Sequence, residues 1–179
     1  MTEACNSLSS VSWGYRENDD FYTLRTLLSH IDRVMAMGGS YLLNVGPDAS
    51  GCIPAEQAAR FDRIGDWYRR MEGCLEDHEP DDFDYGQLRD ACIINRKNGK
   101  SYFHFSDGIP ATGLIMRQYP GKPKKVRLLN SGDTLAWEIC YMPQLFKPSE
   151  PMGDCLHIHN IPADDYPSEP IVLEIEWDR

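Results

Sequence analysis

Ser12-Trp13-Gly14-Tyr15 is the first stretch of the chain with chemical potential: two aromatic rings flank a glycine, which suits a loop or strand end that presents flat apolar faces. A second such place follows the run SYLLNV at 40–45, where Gly46-Pro47 ends a strand and DASGC turns into a helix. In α/β proteins function collects where the carboxyl end of a strand opens into a polar loop ahead of a helix. Near the other end, His157-x-His159 has strand spacing, which sets both imidazoles on one face and offers two ligands for a metal ion. No third ligand is identifiable from sequence, and a solvent-facing strand face accounts for the pair. Asp81, Asp82 and Asp84 have a calcium-like composition but lack the glycine at the sixth position and the closing glutamate of a calcium loop, so a solvated linker is expected. No metal and no cofactor is expected from these patterns.

Elements must hold these groups. Over 19–38 the residues Phe21, Leu24, Leu28, Ile31 and Met35 fall on one helical face, with Leu27 and Val34 beside them, Asp19 or Asp20 as cap and Gly38-Gly39 as stop. The run at 40–45 is apolar except for Ser40 and Asn44, which predicts a strand buried on both faces. Pro54 fits the first position of the next helix, where its missing N–H costs nothing, and Ala58, Phe61, Ile64, Tyr68 and Met71 form its stripe before Gly73. Helix, strand, helix is the grammar of a parallel sheet. With one strand in view, its backbone groups and both stripes need cover, either from another copy or from further barrel or sheet strands.

At 76–89 the composition turns acidic, as in an exposed connector between domains, and beyond it the period changes to two. A hairpin is expected around Asn98-Gly99, and a second from 126–129 through Ser131-Gly132-Asp133 to 135–141. Leu156 and Ile158 alternate with His157 and His159. Ile171, Leu173, Ile175 and Trp177 alternate with Val172, Glu174 and Glu176, so each strand should have one buried and one wetter face. Five to seven such strands form a small antiparallel sandwich.

The 179 residues hold one domain or two small ones, with a formal charge of -10 and no offsetting basic patch, which argues against nucleic acid as a partner. The cysteines at 5, 52, 74, 92, 140 and 155 form no CxxC pair and no compact disulfide framework. The N-terminus has no basic start followed by an apolar run, and no segment approaches the roughly 18 apolar residues of a membrane span. No signal peptide and no membrane partner are expected, and the compartment stays open.

Several blocks together resemble one family. Glu3-Ala4-Cys5, then Ser12-Trp13-Gly14-Tyr15-Arg16, then Gly39-Ser40-Tyr41-Leu42-Leu43-Asn44-Val45-Gly46-Pro47, then Gly51, Ile53-Pro54, Ile64-Gly65 and Trp67 are similar to the end of the catalytic domain of family 29 glycoside hydrolases, the α-L-fucosidases. Tyr102-Phe103-His104-Phe105 and residues 122–132 resemble that family's C-terminal β-sandwich. The resemblance departs at Thr2, where the family has tryptophan, and at residues 71–76, where it has N-G-E-A-I-Y.

The resemblance implies the last strand and helices of a truncated (β/α)8 barrel at 1–75, an acidic linker at 76–89 and a sandwich at 90–179. A whole barrel takes about 250 residues. It implies hydrolysis of terminal α-L-fucosyl bonds by double displacement, with a fucosylated glycan as partner. That reaction needs two carboxyl groups about 5 Å apart. The family's nucleophilic aspartate lies upstream of the matched motifs, so this chain alone is expected to be inactive and to need the remaining part of the barrel. Glu3 is the only residue that the resemblance offers as acid/base. Trp13, with Tyr15, would line the fucose pocket. Asn44 would either turn its amide into the site or satisfy neighbouring strands. The alternative is a non-catalytic carbohydrate-binding or assembly module built on 90–179.

Overall fold

Two strands near the N-terminus, Glu3–Ser7 (β1) and Ser40–Asn44 (β2), pair in parallel with Glu3 opposite Ser40 and Ser7 opposite Asn44. They belong to a computed structural model that describes residues 2–71, 73–141 and 153–178. The sequence did not announce β1, because EACNS has no clean alternation. Its pairing is set by a partner 37 positions away.

Helix Leu24–Ala36 (α1) begins later than the pattern predicts. Thr23, not Asp19 or Asp20, caps it, accepting a hydrogen bond from the Thr26 amide at 3.2 Å. Helix Ala55–Arg70 (α2) starts just after Pro54, which sits at the cap position. Both helices cover one face of the β1–β2 pair. Leu8, Tyr41, Leu43 and Val45 pack there with Leu27, Leu28, Ile31, Ile64 and Trp67. By the two-residue period of a strand, Glu3, Cys5 and Ser7 share the other face with Leu42 and Asn44. That face is open: Leu42 is 47% exposed. The strand expected to be buried on both sides is therefore open on its second face at Leu42, and only the carboxyl end of that face, at Asn44, is reached by the loop that follows β1.

The rest is antiparallel. Glu79–Pro80 (β3), Ile93–Lys97 (β4), Lys100–Phe105 (β5), Ile171–Asp178 (β10) and Lys122–Leu128 (β7) form one sheet in the order β3-β4-β5-β10-β7. Leu114–Met116 (β6), Asp154–Ile158 (β9) and Trp137–Tyr141 (β8) form a second, in the order β6-β9-β8. A short helix, Leu88–Ala91 (α3), precedes β4. The β4–β5 hairpin turns at Asn98 and Gly99, with φ of 53° and 79°, the left-handed pair of a type I′ turn. The second expected hairpin starts and then parts. Leu128 N–H reaches Asp133 O and Leu135 N–H reaches Val126 O, each at 2.9 Å, but the chain then crosses to the other sheet, where β8 pairs with β9.

Between the sheets lies a core of Phe103, Phe105, Val126, Leu128, Leu156, Ile158, Leu173 and Ile175. The opposite face of the larger sheet is also covered, by the helices: Tyr102 and Val172 join the core with Leu28 and Trp67. This corrects the expectation of a wetter face on β10. Val172 is fully buried, and Glu174 is buried too, accepting from Lys100 Nζ at 3.0 Å and Arg127 at 3.4 Å.

The seam between helix and sheet is polar as well as apolar. Asp32 Oδ1 on α1 lies 2.8 Å from His104 Nδ1 on β5, Ser106 Oγ donates to Asp32 Oδ2 at 2.6 Å, and Asn95 Nδ2 lies 3.2 Å from His104 Nε2. A carboxylate oxygen accepts, so Nδ1–H of His104 donates to Asp32. Ser29 Oγ adds a bond to Ser106 O at 2.6 Å, and Arg70 of α2 reaches Asn130 O at 2.9 Å and Glu169 at 2.7 Å.

The acidic stretch is not wholly the solvated linker expected. Asp82 and Asp84 are exposed, but Asp81 is buried, accepting from Ser101 Oγ at 2.6 Å, Tyr85 OH at 3.1 Å and the Phe83 amide at 3.1 Å. Trp177 Nε1 donates to the same Ser101 Oγ at 2.8 Å, which ties this segment to the last strand. A buried carboxylate persists where donors converge on it.

Candidate functional site

The loop that carries Trp13 and Tyr15 leaves β1 and returns to α1 over the carboxyl ends of both parallel strands. Its mouth is closed by Ser10 N–H to Asp20 O at 2.8 Å and Tyr22 N–H to Leu8 O at 3.0 Å. Ser9 Oγ accepts from the amides of Val11 and Ser12 at 3.1 and 2.9 Å and donates to Asp19 Oδ1 at 2.9 Å. Asp19 thus pins the loop, and the helix takes a different cap.

Three residues fix the backbone of 13–15 against β2. Asn44 Nδ2 donates to Trp13 O at 2.7 Å and to Ser7 Oγ at 3.3 Å. Gly46 is buried beneath the loop, and a Cβ there would stand 2.6 Å from Gly14 C and from Tyr15 N. Only a residue without a side chain permits this approach. Gln57, 3% exposed in the first turns of α2, holds the Gly46 peptide from both sides: Gly46 N–H donates to Oε1 at 3.0 Å and Nε2 donates to Gly46 O at 3.3 Å. Sequence reasoning missed Gln57. Its signal was faint, a polar side chain near the start of an otherwise ordinary amphipathic helix.

The rings themselves are left free. Trp13 is 56% and Tyr15 51% exposed, large for aromatic side chains on a tied loop. Beside them the loop after β2 is ordered by Asp48, whose Oδ1 accepts from Ser50 N at 2.8 Å, Ser50 Oγ at 2.6 Å and Cys52 N at 3.1 Å. The Ser50 hydroxyl foremost, with the Cys52 and Ser50 amides, holds the Asp48 carboxyl below its ordinary pKa.

The structure brings Trp13, Tyr15 and Asn44 together and leaves Glu3 apart. Glu3 is exposed at the amino end of β1, four residues and so about 13 Å along the strand from Ser7. Among the described residues, the His, Asp and Glu side chains grouped closely enough to share a metal ion lie elsewhere, on the sandwich. Two flat, exposed rings at the carboxyl end of parallel strands can stack on the apolar face of a small ring-shaped ligand.

Residues 1–72 match the family model described as Alpha-L-fucosidase. Over these residues the chain is similar to the α-L-fucosidases. The plasma α-L-fucosidase of Rattus norvegicus is 33% identical over 145 residues, a match that covers 75% of this chain and 31% of the relative. The α-L-fucosidase isoenzyme 1 structure of Paenibacillus thiaminolyticus superposes with a TM-score of 0.69 at 25% identity, covering 99% of this chain and 40% of that one. The Thermotoga maritima α-fucosidase, solved in complex with fucose, gives a TM-score of 0.68 at 22% identity over 97% of this chain and 39% of that one. The chain thus spans about a third of the length of the curated fucosidases it matches. The Trp13 loop, Asn44, Gly46 and Gln57 all fall within the segment that the fucosidase family model matches.

Proposed function

We propose that this chain forms the closing part of a retaining α-L-fucosidase, with β1, α1, β2 and α2 as the last strands and helices of its (β/α)8 barrel, and that Trp13 and Tyr15 line the fucose subsite. One observation carries the reading: both rings stand exposed at the carboxyl end of two parallel strands, held there by Asn44, Gly46 and Gln57. Barrel enzymes place their chemistry at that end. The open face with Leu42 at 47% exposure is the surface that the other barrel strands would cover. The names of the relatives supply the substrate class, and a fucosylated glycan is the partner proposed.

In this reading Trp13 offers its ring to the apolar side of a deoxy sugar. Asn44 acts through Trp13, because both of its amide hydrogens are already directed at Trp13 O and Ser7 Oγ. The two carboxyl groups of a double displacement must flank the sugar about 5 Å apart. Glu3, at the far end of β1, is poorly placed to be one of them, so both come from the other barrel strands. The packing of Tyr102 and Val172 against α1 and α2 favours one folded unit over a sandwich that works alone.

A chromogenic aryl α-L-fucoside tests this. The chain alone should give no turnover. Supplied with the remaining barrel strands it should hydrolyse the fucoside, and Trp13→Ala should lower kcat/KM by about tenfold or more. Turnover by the chain alone that disappears in Glu3→Gln and Trp13→Ala would overturn the reading.

A further inference from the structure

The sequence identifies no third ligand beside His157 and His159, and the fold brings a carboxylate next to them. Antiparallel pairing of β8 with β9 sets Glu138 directly opposite His157. His159 lies two residues further on, on the same outward face, and its amide donates to Ala136 O at 2.9 Å, which continues the ladder and fixes its position. The two imidazole centroids are 3.8 Å apart, and Glu138 Oε1 is 3.3 Å from His159 Nε2.

We propose that Glu138, His157 and His159 bind a divalent transition-metal ion, Zn²⁺ foremost, on the outer face of the β6-β9-β8 sheet. One ligand atom from each residue lies within 4.8 Å of the others. Tetrahedral zinc with bonds of about 2.0–2.2 Å places its ligand atoms roughly 3.3 Å apart, a contraction that side-chain rotation supplies. Two imidazoles with one carboxylate suit zinc, copper or nickel rather than magnesium or calcium, which prefer all-oxygen shells. Both histidines are half-buried and Glu138 is exposed, so a fourth position opens to solvent. Residue 113 matters too: a Cβ there would come 3.1 Å from His157 Nε2, so glycine allows the ring to lie where it does. Three ligands from two paired strands make the ion a clip between β8 and β9. The site is independent of the fucosidase reading, because it lies on the sandwich and shares no residue with the Trp13 loop.

Isothermal titration of chelator-treated protein with ZnCl2, and separately with MgCl2, tests the site. A Cys5→Ser/Cys52→Ser background removes the exposed thiols as competing ligands. A single equivalent of zinc should bind, magnesium should not, and zinc should raise Tm by mass action. His157→Ala and His159→Ala should each weaken binding at least about tenfold, and Glu138→Gln should weaken it measurably, with unchanged circular dichroism. Absence of zinc binding, or binding of the same affinity in the His157→Ala/His159→Ala double variant, would overturn the proposal.

Discussion

The side-chain amide of Asn44 donates to the carbonyl oxygen of Trp13 at 2.7 Å, across the carboxyl ends of two parallel strands. That bond joins the most exposed tryptophan region of the chain to its first sheet. Asn44→Ala should therefore free the Trp13 loop while costing only about 1 kcal/mol of global stability, as for an ordinary hydrogen bond. Faster amide exchange at residues 13–15 with a nearly unchanged urea midpoint is the expected result. Equal exchange in variant and parent would show that the loop holds itself.

Gly46 and Gly14 face each other across the same contact, yet they should respond differently to a methyl group. A Cβ at 46 meets backbone at 2.6 Å, whereas nothing lies within 4 Å of one at 14. Gly46→Ala should cost about 1–3 kcal/mol by overpacking and shift the Trp13 emission, and Gly14→Ala should be close to neutral. Thermal melts and tryptophan fluorescence of the pair decide this.

Asp32 and His104 join α1 to β5 with both side chains fully buried. Removing either leaves a polar partner without its bond in a dry seam. Asp32→Ala and His104→Ala should each cost about 3 kcal/mol or more. The double variant should cost less than the sum of the two, measured by urea unfolding in a double-mutant cycle.

The Asp48 turn should respond to acid with a definite sign. Its carboxyl is held below the ordinary value by Ser50 Oγ and the Cys52 and Ser50 amides. A lowered folded-state pKa means that the contribution is complete above the unfolded value and is lost as pH falls through the lower, folded one. Protection of the Ser50 and Cys52 amides should be lost at a lower pH than that at which a free aspartate takes up its proton. Asp48→Ala should lack that protection at every pH.

Thiol labelling should divide the cysteines by burial. Burial pushes the Cys92 thiol up to about 12 and raises that of Cys74 as well, so neither is a thiolate near neutrality. Cys5 and Cys52 are exposed. Iodoacetamide at pH 8 should modify Cys5 and Cys52 in the native protein and reach Cys74 and Cys92 only after unfolding, as read by mass spectrometry.

Where structure follows from neighbours in sequence, the sequence was sufficient. Asn98-Gly99 had to be a left-handed turn because few other dipeptides tolerate those angles, and the hairpin is there. The stripes of α1 and α2 follow from the 3.6-residue period, and the spaced blocks from Glu3 to Trp67 carried the likeness to α-L-fucosidases.

Tertiary structure alone decided which strands pair and which faces are covered. EACNS became a strand because SYLLN lies alongside it, and Val172 and Glu174 became buried because α1 and α2 pack on their side of the sheet. Asn44, Gly46 and Gln57 became one support for Trp13 only when the loop folded over β2. Glu138 met His157 and His159 through the β8–β9 register. Turn angles and helical periods act over a few residues of chain, whereas pairing, cover and ligand grouping depend on contacts between segments tens of residues apart, and no local pattern encodes those.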